Sequence, residues 1–209
     1  MRVALEVVEE SLGVKPTAVR APLVDINEAF LELLIGAAKS KAGLAIDFIA
    51  EMGDALRALT RSEVGHLART PFLLLDMEFQ NDLWWNGASL SAAGVSTAEK
   101  MWLSPFPRAS ATKLVRSALM LAWHLARSER QSCLVAMGMS PSVTATIALM
   151  QPQQIDKIAE RHAGRLRLRW EDRPYVWREL LSTASGGDES RRAFALYALQ
   201  LTFAPRVLR

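Results

Sequence analysis

Apolar residues recur at helical spacing from Ile26 through Phe30, Leu33, Leu34, Ala37, Ala38, Leu44 and Ala45 to Phe48 and Ile49, with Asp25 placed to cap the start. Gly36 and Gly43 interrupt this pattern. Each glycine weakens a helix by up to about 1 kcal/mol relative to alanine, so packing must hold it. A shorter helix is expected near 51–59. Thr60 with Glu63 then forms a capping-box pattern for a helix over 61–69, which Thr70-Pro71 ends. Leu73 to Phe79 alternates as a short strand, with Asp76 and Glu78 on its polar side. The same grammar returns later. It predicts a helix from about 113 to 137, stopped at Gly138. Ser140-Pro141 starts a helix to about 150, and Pro152 starts another to about 162. Arg165-Leu166-Arg167-Leu168-Arg169-Trp170 then alternates at period two, giving a strand with one apolar and one basic face.

The recurrence has a fixed offset. Sliding the chain by 91 residues lays Leu59–Ala68 on Met150–Ala159 and matches apolar positions 59/150, 64/155, 67/158 and 68/159. Continued without a gap, it lays Leu75, Met77 and Phe79 on Leu166, Leu168 and Trp170, and Trp84 on Tyr175. The expected organisation is a first helical unit over 25–85, a linker over 86–112, a second unit over 113–182 and a last helix over 190–204. The linker is rich in Gly, Ser, Ala and Pro, and its Trp102 and Phe106 pin it to a surface. The last helix is apolar almost all round, which suits a buried position or an oligomer interface.

Asp25-Ile26-Asn27 with Phe30-Leu31-Glu32-Leu33-Leu34 resembles the start of FlhD, the flagellar master transcriptional regulator family. Leu59 through Ala68 with the strand to Phe79 resembles it too, and Met150–Ala159 through Trp170 resembles it again. The resemblance covers some 110–125 of the 209 residues. It implies a mostly α fold of two tandem FlhD-like helical units, each ending in a short β-strand, packed as a pseudo-dimer. It implies transcription regulation, with promoter DNA as ligand and either a homo-oligomer or an FlhC-like protein as partner. The family has one copy where this chain reads as two. The zinc site of FlhC needs four cysteines, and Cys133 alone cannot supply it.

Charge sharpens this picture. The net charge is +3, yet residues 1–110 carry net −4 and residues 111–209 carry net +7. An acidic half and a basic half either attract one another or present the basic half to a polyanion. Lys157, Arg161, Arg165, Arg167, Arg169 and Arg173 form the strongest basic run and are the candidate nucleic-acid-binding residues. Arg165, Arg167 and Arg169 fall on one face of the predicted strand. Asp76 and Glu78 occupy the positions equivalent to Arg167 and Arg169, so strand pairing between units would set opposite charges face to face. The helices 141–150 and 152–162 also outline a helix-turn-helix, whose second helix offers Gln153, Gln154 and Lys157 to base edges while Asp156 and Glu160 oppose phosphate. Ordinary helix pairs share that outline.

Other chemistry finds little footing. His66, His124 and His162 have no metal-ligand spacing, and neither a cofactor nor a metal is expected. Cys133 lies among apolar residues as a buried thiol, and a single cysteine forms no internal disulfide. There is no GxGxxG, Walker or GxSxG motif, so no enzyme activity is expected. The tryptophans follow helix and strand spacing and read as core anchors rather than base-stacking platforms. The longest stretch free of Asp, Glu, Lys and Arg, Gln131–Ile155, is broken by Gly, Pro, Ser and Thr and does not suit a membrane span. The first residues carry early acids rather than a signal or transit pattern, and a cytoplasmic location is expected.

Overall fold

The structure, a computed structural model, describes residues 16–40, 47–90 and 104–203. The chain is mostly α-helical with one small sheet. Its first half holds α1 (Pro16–Lys39), α2 (Asp47–Ala58), α3 (Arg61–Ala68), β1 (Leu75–Asp76) and α4 (Asp82–Leu90). The second half holds α5 (Arg108–Ser128), α6 (Arg130–Ala136), α7 (Pro141–Leu149), α8 (Pro152–His162), a 3₁₀ turn (Ala163–Arg165), β2 (Arg167–Leu168), α9 (Pro174–Ser182) and α10 (Asp188–Phe203). The long helices α1 and α5 pack on each other. α2 and α3 lean on α1, while α7 and α8 lean on α5. Strands β1 and β2 pair antiparallel, with Leu75 opposite Leu168 and Asp76 opposite Arg167. The leucine pair is buried and the charged pair faces outward.

A succession of long helix, short helix, capped helix, strand and helix occurs in both halves, with α6 and the 3₁₀ turn added in the second, and fine details recur with it. Thr60 and Glu63 close a capping box on α3, and Gln151 and Gln154 close one on α8, 91 residues later. Beyond that point the offset becomes 92. Glu78 and Trp170 are the two non-glycine residues with positive φ, at 57° and 58°, among the described residues. Asn81 N–H donates to Glu78 O, and Arg173 N–H donates to Trp170 O. Trp85 and Trp177 are both fully buried. Each donates its indole N–H to the carbonyl eight residues earlier, Met77 O at 3.2 Å and Arg169 O at 2.6 Å. The gapless slide pairs Trp84 with Tyr175. The backbone instead pairs Trp85 with Trp177, because one extra residue is taken up between α8 and that point, where the 3₁₀ turn lies.

Several elements depart from the sequence pattern. α1 starts at Pro16, nine residues before Asp25, which lies exposed within the helix and caps nothing. Proline suits the first helical position because its missing N–H has no partner there anyway. The helix expected over 113–137 starts earlier, at Arg108, and breaks at Glu129 (φ −142°, ψ 68°) into α5 and α6. The two strands expected over 73–79 and 165–170 shrink to two residues each. Residues on either side leave the ladder at the positive-φ positions and the 3₁₀ turn. The ends of the expected linker, 86–90 and 108–112, are helical. Trp102 lies outside the described residues, whereas Phe106 is buried edge-on to Phe30. α10 buries Phe194, Ala198 and Leu199 but exposes Leu196 and Tyr197, so it is one-faced rather than enclosed.

Candidate nucleic-acid interface

Helix α8 presents the outward basic face. Proline at its first position and the Gln151–Gln154 box fix its start, and Gln151 N–H donates to Gln154 Oε1 at 2.8 Å. Gln154 is therefore engaged in the cap. Trp123 donates its indole N–H to Met150 O at 2.8 Å, which ties the α7–α8 turn to α5. Ile155, Ile158 and Ala159 face inward and are buried. Gln153, Lys157 and Arg161 recur every fourth residue, so they form one exposed stripe along the helix. Asp156 and Glu160, the two acids that would oppose phosphate, turn toward α5. There Arg116 meets Asp156 at 2.8 Å and Glu160 at 3.1 Å. Arg116 thus offsets one of the two negative charges and draws both acids toward α5, beside the lysine–arginine stripe. The positions 91 residues earlier are Ser62 and His66 on α3 and Thr70 just beyond its end.

The remaining candidate residues surround the sheet and do not share one face. Asp76 stands opposite Arg167 in the ladder and accepts Phe79 N–H at 3.1 Å. Glu78 accepts from Arg165 Nη1 at 3.0 Å and lies 4.0 Å from Arg167. Arg165 belongs to the 3₁₀ turn rather than the strand, and its guanidinium lies 5.1 Å from the Trp84 ring centroid. Burial pushes the Glu78 carboxyl up. Its hydrogen bond from Asn81 and the charges of Arg165 and Arg167 outweigh that and hold it below the ordinary glutamate value. Arg173 lies 3.7 Å from Asp172.

Arg169 departs most from the expected single basic face. It is 5% exposed. Its Nη1 donates to Ala136 O at 2.9 Å and Leu73 O at 3.3 Å, and its guanidinium lies over Trp170 at 4.6 Å and Phe72 at 5.7 Å. The alternation that would keep it beside Arg167 ends with the two-residue ladder. Gly138, at φ +68°, makes room for it, since a Cβ there would sit 2.5 Å from Arg169 Nη2. Arg169 therefore belongs to the join between the halves and is withdrawn from any outer surface. Leu73 N–H to Ala136 O, Arg169 N–H to Leu74 O and Ser140 N–H to Phe79 O complete that join.

Several positioning residues have weak sequence signals. Asn27 is fully buried on α1. It donates to Ala68 O and Phe72 O and accepts Leu74 N–H at 2.9 Å, so it holds the approach to β1. The available signal was a polar residue within the apolar stripe of Leu23, Ile26 and Phe30. Arg116 could have been found as a cation on the helix facing two acids spaced four apart. His162 stacks edge-on against Trp84 at 5.3 Å. Cys133 is fully buried, 3.1 Å from Met139 Sδ, and burial pushes its thiol up to about 12. Among the described residues no group of three or more His, Cys, Asp or Glu side chains could hold a metal ion, and no helix is long and apolar enough to cross a membrane.

No curated protein and no solved structure matches the chain significantly. Residues 112–201, which run from α5 into α10 and include the α8 stripe, do match a family: this part of the chain is similar to the flagellar transcriptional activator FlhD.

Proposed function

We propose that the chain is a transcriptional regulator, or a subunit of one, made of two FlhD-like units fused in tandem and packed as a pseudo-dimer over 25–85 and 113–182. The matched tryptophans, positive-φ residues and capping boxes of the two halves support the fusion. The unit after the 86–112 connection contacts promoter DNA, and α10, with Leu196 and Tyr197 exposed, serves association with further copies or with an FlhC-like protein. The observation that carries DNA contact is the sorting of charge on α8. Arg116 holds Asp156 and Glu160 aside, and Lys157 and Arg161 stand exposed on an adjacent stripe. Two cations one helical turn apart suit successive phosphates, which would position the helix rather than read bases. Arg165, Arg167 and Arg173 follow α8 in the chain, with part of their charge offset by Glu78 and Asp172.

Fluorescence anisotropy with duplex DNA across a salt series tests this. Binding should weaken steeply with salt. Replacing both Lys157 and Arg161 by alanine should reduce the slope of log K against log salt by about 2, because each neutralised phosphate adds roughly 0.9 to it. No retention of DNA at about 50 mM salt would reject the reading. A protein-interaction adaptor or anti-regulator of the same fold is the second reading. It is favoured by the engagement of Arg165 and Arg167 with Glu78 and by Leu83 and Leu149, which are 87% and 86% exposed. That reading expects a stable oligomer by light scattering without DNA retention.

A further inference from the structure

A cavity of about 300 Å³ opens where α3 of the first half meets α10 of the second. Its floor is apolar and includes Leu67, Pro71, Phe194 and Leu199. Its rim is cationic, with Arg20 from α1, Arg69 from the end of α3, and Arg191 and Arg192 from α10. Asp188 is the one acid among the lining residues, and it is already shared with Arg191 at 2.5 Å. Arg191 also donates to Gly186 O. Arg20 and Arg69 stand exposed.

We infer that this cavity is a binding site for an amphipathic organic anion, with an aliphatic body on the apolar floor and a carboxylate at the arginine rim. Size, polarity and charge each contribute to that assignment. The volume lies at the small end of the range for small-molecule sites, roughly 300–1,000 Å³. The floor favours an apolar body, because aliphatic surface leaves water there. Asp188 is met by Arg191, so the exposed Arg20 and Arg69 leave the rim electropositive, and guanidinium forks suit a carboxylate in bidentate geometry. A neutral aliphatic molecule would make no ionic contact with Arg20 or Arg69, and a small anion would leave the floor wet. The ligand would touch both halves, so it would favour the conformation in which they are joined. The inference stands apart from DNA binding, because the cavity shares no residue with the α8 stripe.

Isothermal titration calorimetry on the full chain, using decanoate, decanol and butyrate, tests the site without reference to DNA. Decanoate should bind saturably at one per chain and raise the melting temperature. Decanol and butyrate should each bind at least about tenfold more weakly. Arg69→Glu, on an exposed side chain, should weaken decanoate by about tenfold or more. Ala195→Trp should abolish binding by filling the cavity while circular dichroism stays native. Absence of saturable decanoate binding overturns the inference. So does decanol binding as tightly as decanoate, an unchanged affinity in Arg69→Glu, or persistent binding in folded Ala195→Trp.

Discussion

At the scale of single residues, the join between the halves depends on Arg169. A buried guanidinium is tolerated only where its donors are met, and here carbonyls from Leu73 and Ala136 meet it from opposite halves. Gly138 is its steric counterpart. Gly138→Ala places a side chain in the left-handed region and a methyl group against Arg169. The conformational strain alone is about 1–2 kcal/mol, and displacement of a buried donor adds to it. Urea denaturation should register a loss of at least about 2 kcal/mol, and a loss under about 0.5 kcal/mol would refute the steric account. Sequence periodicity identified Gly138 as a helix stop, which is correct. It could not identify the guanidinium that the missing Cβ admits, because alternation placed Arg169 outward. The difference arises from a ladder only two residues long, which leaves the following residue free to turn inward.

At the scale of elements, local chemistry was the legible part. The capping box at Thr60–Glu63, the Ser140-Pro141 start and the Pro152 start all appear where residue type alone places them, because each signal is complete within four residues. Strand length and the start of α1 were not legible, since both depend on distant partners. The capping boxes correspond at an offset of 91, and the positive-φ residues and buried indoles at 92. The one-residue change of offset between α8 and β2 is why a gapless slide does not align Trp85 with Trp177. The paired indoles make a direct test of likeness between the halves. Trp85→Phe and Trp177→Phe each remove one buried N–H donor and leave a carbonyl unmet. Each should lower stability by about 2 kcal/mol in urea titrations, with the chain still folded. A negligible effect at one site and a large effect at the other would argue that the two indoles play different structural roles.

At the scale of the whole molecule, opposite charge on the two halves is used in part within the fold. Glu78 of the acidic half holds Arg165 and approaches Arg167 of the basic half. Its folded-state carboxyl lies below the ordinary value of 4.5, so the stabilisation it provides is present above that pH and fades as pH falls through the folded value. Wild type should therefore be more stable than Glu78→Gln at neutral pH, by about 1 kcal/mol or less for a partly exposed pair. The two should converge as pH falls below about 4.5. Parallel urea midpoints from pH 7 to pH 3 check this, and a constant gap would remove the ion pair from the account. The charge asymmetry was legible in the sequence. Its division between an internal join and an outward stripe on α8 was not, because that division depends on Arg116 reaching Asp156 and Glu160 from another helix.

The burial of Cys133 has a practical consequence. It is the chain's sole cysteine, and a thiol held at about 12 in a closed apolar setting has almost no thiolate at neutral pH. A cysteine introduced on the exposed side of α8 or α10 would therefore be the one site that reacts with maleimide fluorophores or spin labels. The natural background is already silent, and labelled protein can be prepared without replacing Cys133.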